Sequence, residues 1–178
     1  MSRLHTVPAD QATGRAADLF SSIKGAIGMV PNAYATIGSN SPVALEAALN
    51  LDGALRNTSL SAKQIEVIKL AVSAAAGCDY CLAAHSLMGK RAGLTRDAIN
   101  ALRTAVPTGD AAIDALAQFV RHLVRSAGTV PAEVLTAVRQ AGYDDAQVVD
   151  TLLAVTSITF TNLVNRVNDT VVDFPAFH

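Results

Sequence analysis

The chain has 178 residues, of which 51% are hydrophobic, 16% charged and only 4% aromatic, with a formal net charge of −1. That balance supports one domain over residues 1–178 with a substantial core, and it excludes a disordered chain, which would be more charged and less apolar. Lys and Arg are spread thinly, with no basic stripe to track phosphates, so no nucleic-acid partner is expected.

The scarcity of aromatics beside abundant Ala, Leu and Val favours close-packed helices over a β-sandwich. Residues 10–24 read as a first helix, with Asp10 in position to cap it and Leu19, Phe20 and Ile23 near helical spacing. Gly25, Gly28, Pro31 and Gly38 then punctuate a loop around a short helix from Asn32 to Ile37. Ser41 followed by Pro42 starts a helix that runs to about Arg56. Ser61 with Gln64 three residues on is a capping-box pattern, and Gly77 ends that helix. Cys78 opens the next, over about 78–92. Thr95 caps a further short helix. Segments 110–126, 131–140 and 144–168 complete an all-α chain, ending in the extended tail VVDFPAFH. Aligning Gln64 with Gln147 lays QIEVIKLAV over QVVDTLLAV, a short echo compatible with an internal duplication.

The amino terminus lacks the apolar stretch of a secretory signal, and charged or amide residues interrupt each apolar run before the roughly 18 residues of a membrane span. No membrane partner and a cytoplasmic location are therefore expected. The low charge content points to apolar surface shared between subunits.

Both cysteines stand three apart in AAAGCDYCLAAHSLMGK, with His85 four residues beyond the second. In a chain expected to be cytoplasmic, such a pair points to redox or metal chemistry more than to a structural staple. Positions 78, 81 and 85 share one helical face. Cys78 at the helix amino terminus meets unpaired N–H groups that favour a thiolate, and two cysteines three apart can join as a disulfide. Glu66 lies twelve residues before Cys78 among Ile65, Val67 and Ile68. A carboxylate in such company needs a partner, and the Gly77 break lets His85 fold back to supply one. Glu66 would then orient His85, and His85 would help ionise a cysteine. Taken singly, Glu66 also fits a solvated Lys63–Glu66–Lys69 face, and His85 an ordinary packed histidine.

Glu66, eleven residues, then Cys78-x-x-Cys81-x-x-x-His85 resembles the signature of the AhpD-like alkylhydroperoxidases in the carboxymuconolactone decarboxylase superfamily. VPNAYATIGSNSP and NLVNRVNDT look like segments of its peroxidase-related branch. The resemblance implies an all-helical fold and a homo-oligomer, commonly a trimer or hexamer. It also implies an enzyme that reduces hydroperoxides: Cys81 becomes a sulfenic acid, Cys78 resolves it, Glu66 and His85 relay protons, and a dithiol, lipoyl-bearing or thioredoxin-like, restores the pair. No metal or other cofactor is required. One departure is Tyr80, where well-studied members place a second histidine. Cys78 remains the rival attacking thiol by its place at the helix start.

Three other functions compete. Cys78, Cys81, His85 and Glu66 are a possible zinc set; the pair could act as a redox sensor without turnover; and the superfamily includes decarboxylase-like lyases. Of the other groups, His122 reads as a surface or interface residue, and His5 and His178 lie near the termini. Asn165, Arg166, Asn168 and Asp169 read as a hydrogen-bonded helix end, and Tyr34 as a candidate for the pocket mouth.

Overall fold

A computed structural model describes residues 2–177; the expectation for His178 lies outside them. Among the described residues the structure is all-α, with nine α-helices and one 3-10 turn. They are α1 (Gly14–Ile27), α2 (Asn32–Asn40), α3 (Pro42–Ala54), the 3-10 turn Leu55–Asn57, α4 (Ala62–Ala76), α5 (Asp79–Arg91), α6 (Arg96–Thr104), α7 (Ala111–Arg125), α8 (Ala132–Gln140) and α9 (Asp145–Asn168).

Side-chain caps start six helices, and those at Ser41, Ser61, Cys78 and Thr95 are the start signals expected from the sequence. Ser41, Thr95 and Asp110 accept from backbone N–H groups of the first turn, and Cys78 does the same through its sulfur. Ser61 with Gln64 and Asp144 with Gln147 form reciprocal capping boxes. Asp10 does not cap α1: the helix starts four residues later, with Thr13 at its cap position and no side-chain cap bond. The helix also runs on to Ile27, and α2 on to Asn40, because Gly25 and Gly38 sit within helices as small residues and not as breaks. At Gly38 the reason is space. A Cβ there would come within 2.5 Å of the Phe20 ring and 2.8 Å of Leu45, so the glycine lets α1, α2 and α3 close over a small core of Leu19, Phe20, Ile23, Ile37 and Leu45.

The larger core surrounds α4, where Val67, Ile68, Leu70, Ala71 and Val72 are all buried. A helix apolar on every side must be enclosed on every side, and α5, α6, α7 and α9 enclose it. α9 is long and apolar enough to cross a bilayer by length and composition alone, a feature that counting uninterrupted apolar runs passes over. In this fold it lies along α4 and carries Asn162, Asn165 and Asn168 buried within the protein.

The two long core helices run parallel. Asp150 accepts from the backbone and hydroxyl of Ser59, Ser73 bonds Asn162 at 3.2 Å, and Arg166 donates to the Ala76 carbonyl. After α9 the tail runs beside a cavity that Phe174 helps to line. Asp173 accepts from the Tyr80 hydroxyl (2.8 Å) and the Asn32 amide (2.8 Å), Asn32 Nδ2 donates to the Val171 carbonyl, and Phe174 meets the Tyr80 ring edge-on.

Candidate active site

Gly77 adopts the left-handed conformation (φ 63°) that closes α4 and would cost a side-chain-bearing residue. The turn lets Cys78 cap α5, so its sulfur receives the backbone N–H of Cys81 at 3.4 Å. The first turn of α5 also brings the two free thiols within 2.7 Å of each other. Both are buried, yet only Cys81 borders the cavity.

The pair shares one ionisation unequally. The S–H of Cys81 donates to Cys78 and, against the cost of burial and with help from the Cys81 backbone N–H, lowers the Cys78 thiol. The same contact, with burial and the charge on Cys78, pushes Cys81 well above the usual thiol range, and Asn165 and Thr161 only partly oppose this. Of the two thiols, Cys78 is the one whose ionisation this contact favours.

Glu66 and His85 meet as the spacing requires, His85 Nδ1 lying 2.8 Å from Glu66 Oε2. Glu66 is 8% exposed, so it is not part of a solvated face. His85 lines the cavity as Cys81 does, but among the described residues its hydrogen bond goes to Glu66 and none joins it to either thiol. The described residues hold no cluster of three or more His, Cys, Asp or Glu placed to bind a metal ion.

The cavity holds about 220 Å³ and is mostly apolar, walled by Ile23, Ile27, Leu49, Met88, Ile158 and Phe174. Tyr34 does border it, and burial pushes its phenol up to about 12. His5 is exposed and His122 half-buried, both away from it.

The helix-end reading of the carboxy-terminal polar residues holds for Asn168 but not for Asn165. Asn168 accepts from the backbone of Arg3 and Leu4 and donates to Thr36 and Thr170. Asn165 instead donates to Cys81 Sγ at 3.3 Å, and its own carbonyl oxygen is buried without a partner. Lys69 was missed as well. It is 6% exposed, pairs with Asp52 and lines the same cavity, and Asp52 also accepts from Ser157 at 3.3 Å. Burial alone would raise the Asp52 carboxyl, but the Lys69 ammonium outweighs it and the net shift is downward. The available signal was spacing: Lys69 falls one turn after Glu66 in an otherwise apolar run.

Residues 42–122, which span the Ser41–Pro42 helix start, the cysteine pair and His85, match the model of the carboxymuconolactone decarboxylase family. Over that segment the chain is similar to the family, and its fold is AhpD-like. A peroxidase-related protein with an AhpD core from Ralstonia eutropha JMP134 superposes with a TM-score of 0.83 over 97% of this chain and 92% of its own, at 18% identity. A peroxidase-related protein from Silicibacter sp. TM1040 gives 0.79 over 96% and 91%, at 20% identity. The debrominase Bmp8, solved with 2,3,4-tribromopyrrole, gives 0.78 over 96% and 91%, at 18% identity, so this AhpD-like fold carries more than one chemistry. A comparison with curated proteins returns no match.

Within this AhpD-like frame Tyr80 has a structural task. Its hydroxyl receives the Ala33 amide and donates to Asp173, and burial together with that carboxylate holds the phenol far above its usual range. It fastens the tail and stays protonated.

Proposed function

We propose that the protein is a thiol peroxidase that reduces organic hydroperoxides through Cys81 and Cys78, with Glu66 and His85 as the proton relay. The observation that carries this reading is the pair of free thiols in contact beside an apolar cavity that only Cys81 borders.

The Cys78 thiolate takes the Cys81 proton across the S···S contact, leaving a Cys81 thiolate stabilised by the Asn165 amide. That sulfur attacks the distal peroxide oxygen. The S–O bond forms, the O–O bond breaks, and the departing alkoxide takes a proton delivered from His85, whose cationic form Glu66 supports. Cys78, again a thiolate once its proton has passed to the relay, attacks the Cys81 sulfenic acid. A disulfide forms and water leaves with a proton from His85. The sum is two thiols and one hydroperoxide giving a disulfide, an alcohol and water. A dithiol reductant returns the pair to its starting state by exchange, and the protein works as a homo-oligomer in the cytoplasm.

The test is thiol titration with mass spectrometry before and after one equivalent of cumene hydroperoxide. Loss of two thiols and two hydrogens, with a sulfenic acid trapped on Cys81 in Cys78→Ser, is expected. Thiols that survive the peroxide would overturn the reading. Bromide released from a bromopyrrole in their place would assign the chain an activity like that of Bmp8.

A further inference from the structure

Two chemically different sets of groups line the cavity, Cys81 with Asn165 and Lys69 with Asp52 and Arg56. The cross-links between α4 and α9 join residues separated by 91, 89 and 90 positions, which places Asn165 level with about Ala76. Lys69 lies two turns back along α4, or about 10 Å at 1.5 Å per residue.

The second set holds more positive charge than its own residues neutralise. An ammonium has three donors, and Lys69 directs one to Asp52; among the described residues the others have no protein acceptor. Arg56 lines the cavity from an exposed position and makes no ion pair among the described residues. Two cations therefore face one carboxylate at an apolar cavity wall. Leaving donors of a buried ammonium unused is costly, and an arriving anion would relieve that cost.

We propose that the cavity binds a two-ended substrate, with its reactive group at Cys81 and a carboxylate about 10 Å away on Lys69 and Arg56, joined by an apolar chain. The inference builds on the peroxidase reading and narrows the substrate to hydroperoxides that carry an acid group. Cavity volume favours a slim chain, since 220 Å³ is below the roughly 300–1,000 Å³ of drug-sized sites.

The acid subsite is tested without turnover. Binding of decanoate is measured by calorimetry on the reduced protein, with decanol as the neutral control, in wild type, Arg56→Gln and Lys69→Met. Decanoate is expected to bind at least about tenfold more tightly than decanol, and each variant to lose about tenfold for decanoate alone. Arg56→Gln alters an exposed side chain, so it keeps the test open if Lys69→Met fails to fold. Equal affinity for acid and alcohol, or full decanoate affinity in Arg56→Gln, would overturn the proposal. The rate of thiol oxidation by the ω-hydroperoxy derivative of decanoate is then compared with that by cumene hydroperoxide. A preference for the acid that falls in Arg56→Gln supports the two-ended substrate. Tight decanoate binding with thiols inert to both peroxides would sink the peroxidase reading while upholding the acid subsite.

Discussion

The stretch from α4 to α5 and the helix α9 begin alike and end differently. Each opens with a capping box and continues with an apolar run, QIEVIKLAV in one and QVVDTLLAV in the other. The first breaks at Gly77 and restarts with Cys78 as a cap; the second continues unbroken for 24 residues. The break turns a helix into a site. It doubles the chain back so that Glu66 reaches His85, and it puts a sulfur where a helix start supplies N–H groups. The unbroken helix supports that site by laying Asn165 against Cys81. One region supplies the groups proposed to react and the other the surface that holds them.

This division can be broken at several strengths. Replacing Cys81 by Ser removes the only thiol that borders the cavity, so peroxide consumption should fall about a thousandfold or more. Cys78→Ser should instead still consume a single equivalent of peroxide. Stopped-flow peroxide assays with mass spectrometry separate the two, and equal single-turnover loss in both would mean that the thiols are not distinguished by access. Glu66→Gln keeps the shape but removes the charge that supports a cationic His85. A loss of about a hundredfold is expected in the same assay, whereas an unchanged rate would remove Glu66 from the relay.

Asn165→Leu tests the supporting helix: losing one donor to a developing thiolate should slow oxidation about tenfold with little change in fold. Cys81→Ala sharpens the ionic comparison within the pair. The Cys81 S–H is the largest cause lowering Cys78, so without it the Cys78 thiol should move upward. Less thiolate absorbance near neutral pH is then expected, and a Cys78 titration identical to wild type would contradict the shared-proton description. The smallest effect belongs to the turn. Gly77→Ala places a Cβ in the left-handed region at a cost of about 1–2 kcal/mol, lowering Tm by about 2–4 °C per kcal/mol.

Much of this was readable from the sequence because local rules carried it. Ser41, Ser61, Gly77, Cys78, Thr95 and Asp144 act through neighbours three or four residues away, so their helices start or stop as expected. The pairing of Glu66 with His85 followed because a single tight turn separates their helices. Asp10 misled because a residue suited to a cap does not fix which turn the helix begins on. Asn165 and Asp52 could not be found this way, since their partners lie 84 and 17 residues distant and depend on how separate helices pack. The odd tyrosine was visible, but its purpose was not. Tyr80 bonds to Asp173, 93 residues further on.

That last bond bears on when the protein becomes competent. Asn165 follows Cys81 by 84 residues and Asp173 follows Tyr80 by 93, so the amide donor and the strap of Asp173 and Phe174 are synthesised well after the cysteines. During translation the thiols therefore exist for an interval without their amide donor and without the strap. Synthesis of these later residues is the step that sets the amide donor and the strap beside the pair.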